Sequence, residues 1–151
     1  MAWIGAPKAP AGCVFCTARD HRDDRTTYLL ERSEHAYLTL NAYPYASGHL
    51  MAVVNRHVGT LPDAQAVELA DMMRLVRRAV AALAAEYRAE GFNVGLNQGR
   101  AAGAGIEDHL HMHVVPRWGG DSNFMSVVGD TRVLPETLET TWERLRGRLG
   151  G

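Results

Sequence analysis

His109-Leu110-His111-Met112-His113-Val114-Val115 is the stretch on which the fold turns. Successive side chains of a strand alternate between faces, so His109, His111 and His113 line one side and Leu110, Met112 and Val114 the other. Neighbouring imidazoles on such a row stand about 6.6 Å apart. Three of the chain's seven histidines fall within five residues, with an apolar residue at each intervening position. Three chemistries fit this pattern. The first is a solvated row, disfavoured because so many imidazoles on one face serve no packing purpose. The second is a metal site using two members, since histidine is a common zinc ligand. The third is nucleophilic catalysis by one imidazole between two others, neutral at cellular pH because its unperturbed pKa lies near about 6.5.

The flanks sharpen the choice. Asn97-Gln98-Gly99-Arg100-Ala101-Ala102-Gly103-Ala104-Gly105 precedes the row, and its glycines let backbone N–H groups approach a phosphate closely. Beside three histidines, that favours a phosphate ester as ligand. Pro116-Arg117-Trp118-Gly119-Gly120-Asp121 ends the strand in a turn.

Further out, residues 26–31 and 35–41 carry β-formers with partial alternation, a hairpin about Arg32-Ser33-Glu34. Residues 42–48 hold turn chemistry with Pro44 and Gly48, and 49–54 read as a third strand. Over 62–89 the period changes: Leu69, Met72, Met73, Val76, Val80, Leu83 and Tyr87 form one stripe of a long helix. Thr60 or Asp63 is its expected cap and Gly91 its expected stop. Residues 92–97 are a fourth strand and 109–115 the fifth. A last helix is expected over 135–149, with Leu138, Trp142, Leu145 and Leu149 on one side. The charged stretch 17–25 reads as a loop. The sum is α+β: a five-stranded, mainly antiparallel sheet with one long helix and a C-terminal helix.

Composition sets the bounds. The 151 residues suffice for one domain, expected over 13–151 behind a loose leader at 1–12 that holds Pro7 and Pro10. With 46% hydrophobic and 22% charged residues the chain can bury a core without disulfides. A net charge of −1 marks no face for DNA or RNA duplexes. No apolar run nears the roughly 20 residues that cross a bilayer, and residues 1–10 lack a secretory pattern, so no membrane partner and a cytoplasmic location are expected. Lys8 is the single lysine, which excludes a Walker-type phosphate loop and Schiff-base chemistry in the folded body. Cys13 and Cys16 form one C-x-x-C, the mark of metal or redox work in a reducing compartment. A redox pair usually opens a helix, a pattern not expected here.

The row His-φ-His-φ-His-φ-φ, φ being apolar, resembles the signature of the histidine triad (HIT) superfamily of nucleotide hydrolases and transferases, and residues 109–115 match it throughout. Asn41-Ala42-Tyr43-Pro44-Tyr45, Gly48-His49 and the stretch from the triad to Asn123-Phe124 resemble its fragile-histidine-triad and diadenosine tetraphosphate phosphorylase branch. The resemblance implies cleavage of a dinucleoside polyphosphate through a nucleotidyl-histidine on His111, resolved by water or phosphate. It makes His113 a contact to the phosphate or departing oxygen, with His109 beside them. It gives Asn41 to the ribose and His49 to the site wall. Asn97, or Gln98 in its place, is assigned to the phosphates. The loop before His109 is one residue longer than the family pattern and lacks its Gln-Ser or Gln-Thr, which leaves Gly105 a backbone contact.

The resemblance also implies a structural zinc on Cys13, Cys16, His57 and His109, and a homodimer joined edge to edge. It leaves room for a divalent cation carried by the nucleotide and calls for no organic cofactor. The rivals are a nucleoside phosphoramidase, a slow-turnover nucleotide-binding module, and a metalloenzyme using His109, His111 and His113 together.

Overall fold

Residues 36–40 and 50–54 are apolar almost throughout, as strands covered on both faces must be. In the computed structural model, which describes residues 12–122, 128–129 and 135–150, they form β2 (Ala36–Leu40) and β3 (Leu50–Val54), and every residue in both is buried. Residues 1–11 of the leader expected over 1–12, and the Asn123-Phe124 end of the sequence motif, lie outside the described residues. Around this pair stand β1 (Leu29–Arg32), β4 (Gly91–Gly95) and β5 (His111–Arg117), in the order β1-β2-β3-β5-β4 with all neighbours antiparallel. The five-stranded α+β architecture is as expected.

Register divides the sheet into two faces. Leu38 pairs with Ala52, and Leu50 with Val114; these residues pack beneath the helices α2 (Ala66–Tyr87) and α3 (Leu138–Leu149). Tyr37 pairs with Val53, Val53 with His111 and Met51 with His113, so the histidines share the opposite face with Tyr37 and Val53. A seven-residue helix, α1 (Val14–Asp20), lies on that face through Phe15.

Several local expectations are corrected. Residues 17–20 belong to α1, not to a loop, and Cys13 is its N-cap. The short helix has no amphipathic stripe; its last turn is held instead by Arg19, which donates to the Asn55 carbonyl, and by Arg32, which donates to the Arg19 carbonyl at 2.6 Å. Helix α2 starts four residues after Pro62, at a capping box in which Glu68 accepts from the Gln65 N–H at 2.7 Å. It stops at Arg88, left-handed at φ 51°, and Gly91 opens β4. Met73 faces solvent, because the buried stripe runs through Met72, Leu75, Val76 and Ala79. The last helix begins at Leu138, where the Thr137 hydroxyl accepts from the Thr140 N–H, and Trp142 donates to the Leu29 carbonyl at 2.9 Å.

One glycine positions the site. Gly48 sits at φ +84°, and a Cβ there would meet Leu83 at 2.7 Å, so the turn before His49 presses directly onto α2. Among the described residues no helix is long and apolar enough to cross a membrane.

Candidate active site and metal centre

The three triad histidines do not all lie on the strand. β5 begins at His111; His109 precedes it, in a segment anchored by the Leu110 N–H on the Val58 carbonyl at 2.6 Å. That change of backbone separates the row into two centres.

His109 is fully buried, and its Nε2–H donates to the Val54 carbonyl at 2.7 Å. Nδ1 is thereby left unprotonated, 3.4 Å from Cys13 Sγ, 3.5 Å from Cys16 Sγ and 3.3 Å from His57 Nδ1; His57 Nδ1 is 3.5 Å from Cys16 Sγ. All four ligand atoms lie within 4.8 Å of one another. A tetrahedron with metal–nitrogen bonds of about 2.0–2.1 Å and metal–sulfur bonds of about 2.3 Å has edges of about 3.3–3.8 Å, and the four distances above match the edges expected for their atom pairs. The set could hold a metal ion. Burial pushes the Cys16 thiol up to about 11 and holds the His109 imidazole down to about 4, so the site favours a neutral imidazole ligand and a thiolate only beside a compensating cation. The C-x-x-C does open a helix after all, yet both sulfurs face histidines.

His111 carries the opposite tautomer. Its Nδ1–H donates to the His109 carbonyl at 2.8 Å, which leaves the Nε2 lone pair unprotonated. Its ring lies 4.8 Å from that of Phe15 and 5.1 Å from that of His113. Burial lowers the pKa of His111, and that of His113 too, so both favour the neutral form.

His113 takes its tautomer from its neighbour. The Tyr45 N–H donates to His49 Nδ1 at 3.0 Å, so His49 carries its proton on Nε2. That proton is donated to His113 Nδ1 at 2.9 Å, which puts the His113 proton on Nε2. His49 is 1% exposed, and the Asn41 amide lies 3.4 Å from its Nε2 while Asn41 Oδ1 accepts from the Tyr43 N–H. Cross-strand from His113 is Gly95, where a Cβ would meet no atom within 4 Å, so the row opens to space on that side.

The structure thus gathers His111, His113, His49 and Asn41 in one place, and Cys13, Cys16, His57 and His109 in another. Asn97 and Gly105 are exposed in the connection from β4 to β5. Gln98 is turned elsewhere: its Oε1 accepts from the Leu61 N–H at 2.8 Å, in a groove it shares with His57 and Glu107. Two participants escaped the sequence reading. Phe15 packs on His109 and His111, and its place between the two cysteines was the available signal. Tyr45 supplies both the N–H that sets the tautomers and a ring 4.6 Å from His49.

Comparison with known proteins places this geometry. Over 118 residues the chain is 43% identical to a Mycobacterium tuberculosis protein named AP-4-A phosphorylase, covering 78% of this chain and 60% of that one. The chain therefore spans about 60% of the length of that relative. A solved Zn-bound histidine triad family protein from Mycobacterium smegmatis superposes with a TM-score of 0.76 at 26% identity, over 92% of this chain and 94% of that one. Plasmodium falciparum diadenosine triphosphate hydrolase shares the fold at 20% identity and a TM-score of 0.64, over 85% of this chain and 76% of that one. The HIT domain profile matches residues 23–120, and with a 43% identical relative beside it the chain belongs to the HIT domain family.

Proposed function

We propose that this protein is an enzyme cleaving dinucleoside polyphosphates, of the diadenosine tetraphosphate kind, through a covalent nucleotidyl-histidine on His111. One observation carries the reading: His111 Nδ1–H is committed to the His109 carbonyl, so Nε2 is the nucleophilic atom. Its lone pair attacks the α-phosphorus, the N–P bond forms, and the bond from phosphorus to the departing polyphosphate oxygen breaks. The imidazole becomes cationic as it is nucleotidylated, and the His109 carbonyl on Nδ1–H stabilises that charge. The departing polyphosphate leaves as an anion and needs a hydrogen-bond donor more than a proton; His113 Nε2–H supplies it. Phosphate or water then attacks the same phosphorus, the N–P bond breaks, and His111 returns to neutral.

Asn41 holds the ribose beside His49 in this reading, and Asn97 and the Gly105 backbone stand in the connection available to the phosphate chain. A divalent cation bound to the nucleotide would share the polyphosphate charge. The name of the 43% identical relative supports the substrate class.

The deciding experiment is product analysis with diadenosine tetraphosphate, with and without inorganic phosphate, and with His111→Ala as control. ADP plus ATP appearing only with phosphate identifies phosphorolysis; AMP plus ATP regardless of phosphate identifies hydrolysis. Absence of His111-dependent turnover in both conditions refutes the reading and points to phosphoramidates.

The Cys13, Cys16, His57 and His109 set is proposed to hold zinc, which would tie α1 to the sheet and fix His109. One zinc per chain is expected by metal analysis, and its retention in Cys13→Ser would contradict the assignment. β4 ends the strand order, and its outer edge is the proposed junction of a homodimer. Sedimentation at a dimer's mass is expected; a monomer at micromolar concentration would contradict it.

A further inference from the structure

The peptide group between His109 and Leu110 is bonded at both ends. Its carbonyl accepts the His111 Nδ1–H at 2.8 Å, the bond that leaves His111 Nε2 unprotonated. Its N–H donates to the Val58 carbonyl at 2.6 Å. A trans peptide is planar and its N–H and C=O point in opposite directions, so Val58 grips the far side of the group that orients His111. Hydrogen bonds linked through one amide also polarise one another, which strengthens that carbonyl as an acceptor.

Val58 lies in the connection from β3 to α2, outside the sheet. Its carbonyl belongs to the peptide it shares with Gly59, and at Gly59 the connection touches the backbone leading into His109. A Cβ there would meet the Glu107 carbonyl oxygen at 2.6 Å, the Asp108 Cα at 3.1 Å and the Asp108 carbonyl carbon at 3.3 Å. All three are backbone atoms, which cannot swing aside as a side-chain end does. Gly59 does not use the left-handed conformations open to glycine, so what it supplies is close approach. Beyond it the connection is fastened again, where the Leu61 N–H donates to Gln98 Oε1 at 2.8 Å.

We infer that Gly59 is a positioning residue: its missing side chain lets the Val58 carbonyl reach the Leu110 N–H and so holds the 109–110 peptide that aims His111. It touches no reacting atom and acts through that peptide. The inference rests on the reading above that His111 is the nucleophile. A side chain at 59 would push the Val58 carbonyl and the 107–108 backbone apart, loosen the 109–110 peptide and release the His111 Nδ1–H. Nε2 would then carry the proton in part of the molecules, and a protonated Nε2 has no lone pair with which to attack phosphorus.

The test is nitrogen-15 NMR of histidine-labelled protein at alkaline pH, where the two ring nitrogens of each neutral imidazole report its tautomer. The His111 signals are identified by their loss in His111→Ala. Wild type is expected to show His111 in the Nδ1–H form alone, and Gly59→Ala a mixture of both forms. With diadenosine tetraphosphate, kcat of Gly59→Ala is expected to fall about ten- to a hundredfold while KM holds within about twofold. Leu38→Ala, destabilised on the helix face, is expected to keep the wild-type tautomer; a shift there too would trace the response to lost stability and overturn the inference. An unchanged His111 tautomer in folded Gly59→Ala overturns it even if kcat falls, and so does an unchanged kcat beside a shifted tautomer. If Gly59→Ala does not fold, hydrogen exchange of the wild type decides. The Leu110 amide is expected to be strongly protected, and exchange at the rate of an unbonded amide overturns the inference. If the wild type shows no His111-dependent turnover, the reading of the reaction falls, and the catalytic meaning of Gly59 with it; the NMR result, which needs no substrate, tells the two failures apart.

Discussion

The two faces of the sheet use the same strands in different ways. On the helix face, Leu38, Ala52, Leu50 and Val114 meet α2 and α3 in an apolar contact that needs no particular hydrogen bond. On the histidine face the apolar set is small, and position is fixed by directional bonds: Tyr37 to the Phe15 carbonyl, His109 to the Val54 carbonyl, His111 to the His109 carbonyl, His49 to His113. Burial is non-directional and sets stability, whereas hydrogen bonds set which ring nitrogen carries a proton. The comparison teaches that identical side chains two residues apart, His109 and His111, are given opposite tautomers by the carbonyls of Val54 and His109.

Substitutions should separate the two faces. His111→Ala is expected to reduce turnover at least about a thousandfold, by loss of the nucleophile, while circular dichroism keeps the native signature. Unfolding of that variant at ordinary temperature would mean that the histidine face also bears the fold. Leu38→Ala, on the helix face, is expected to cost about 2–5 kcal/mol in urea denaturation while the mutant that remains folded keeps its metal content and KM. A large KM change there would erase the division between faces.

Smaller effects sharpen it. Tyr37→Phe removes the hydroxyl that donates to the Phe15 carbonyl at 2.8 Å, a cost of about 0.5–1.5 kcal/mol. Hydrogen exchange should show the loss concentrated in α1, and a uniform loss over the sheet would contradict the local role given to this bond. Glu68→Gln tests the helix face electrostatically. The Arg56 guanidinium, 2.9 Å from both carboxylate oxygens, outweighs burial and holds the Glu68 carboxyl below its ordinary 4.5. A carboxyl depressed in the folded state contributes stability that is complete above pH 4.5 and fades as pH falls through the lower folded value. The variant should be about 1 kcal/mol less stable at pH 7, and the gap should close on acidification. A gap that stays constant down to pH 3 would contradict the ion pair's role.

Much of this division was legible in the residues. Alternation at 109–115, the near-continuous apolar runs of β2 and β3, and the 3.6 period of α2 reflect burial, which leaves its imprint on residue type. What was not legible depends on geometry that residue type does not record. Residues 17–20 of α1 read as a loop in sequence because a seven-residue helix without an apolar stripe carries no period; the helix is held by long-range bonds from Arg19, Tyr37 and Arg32. The alternation continues through His109 and so puts it on the strand in sequence, while the chain leaves the ladder there to bring its ring to Val54. Gln98 was an available phosphate partner by type, and only the fold shows its oxygen bonded to Leu61. The tautomers of the row depend on the Val54 and His109 carbonyls and on the turn at Tyr45, which residue type does not record.

The most direct test of the central claim is to mix enzyme with diadenosine tetraphosphate, quench rapidly, hold the sample at alkaline pH where phosphorus–nitrogen bonds survive, and map the adduct by mass spectrometry. The account predicts one adenylyl group on the peptide bearing His111, absent from His111→Ala and discharged by chase with phosphate or water. An adenylyl group on another residue, or full turnover with no adduct on any histidine, would contradict it.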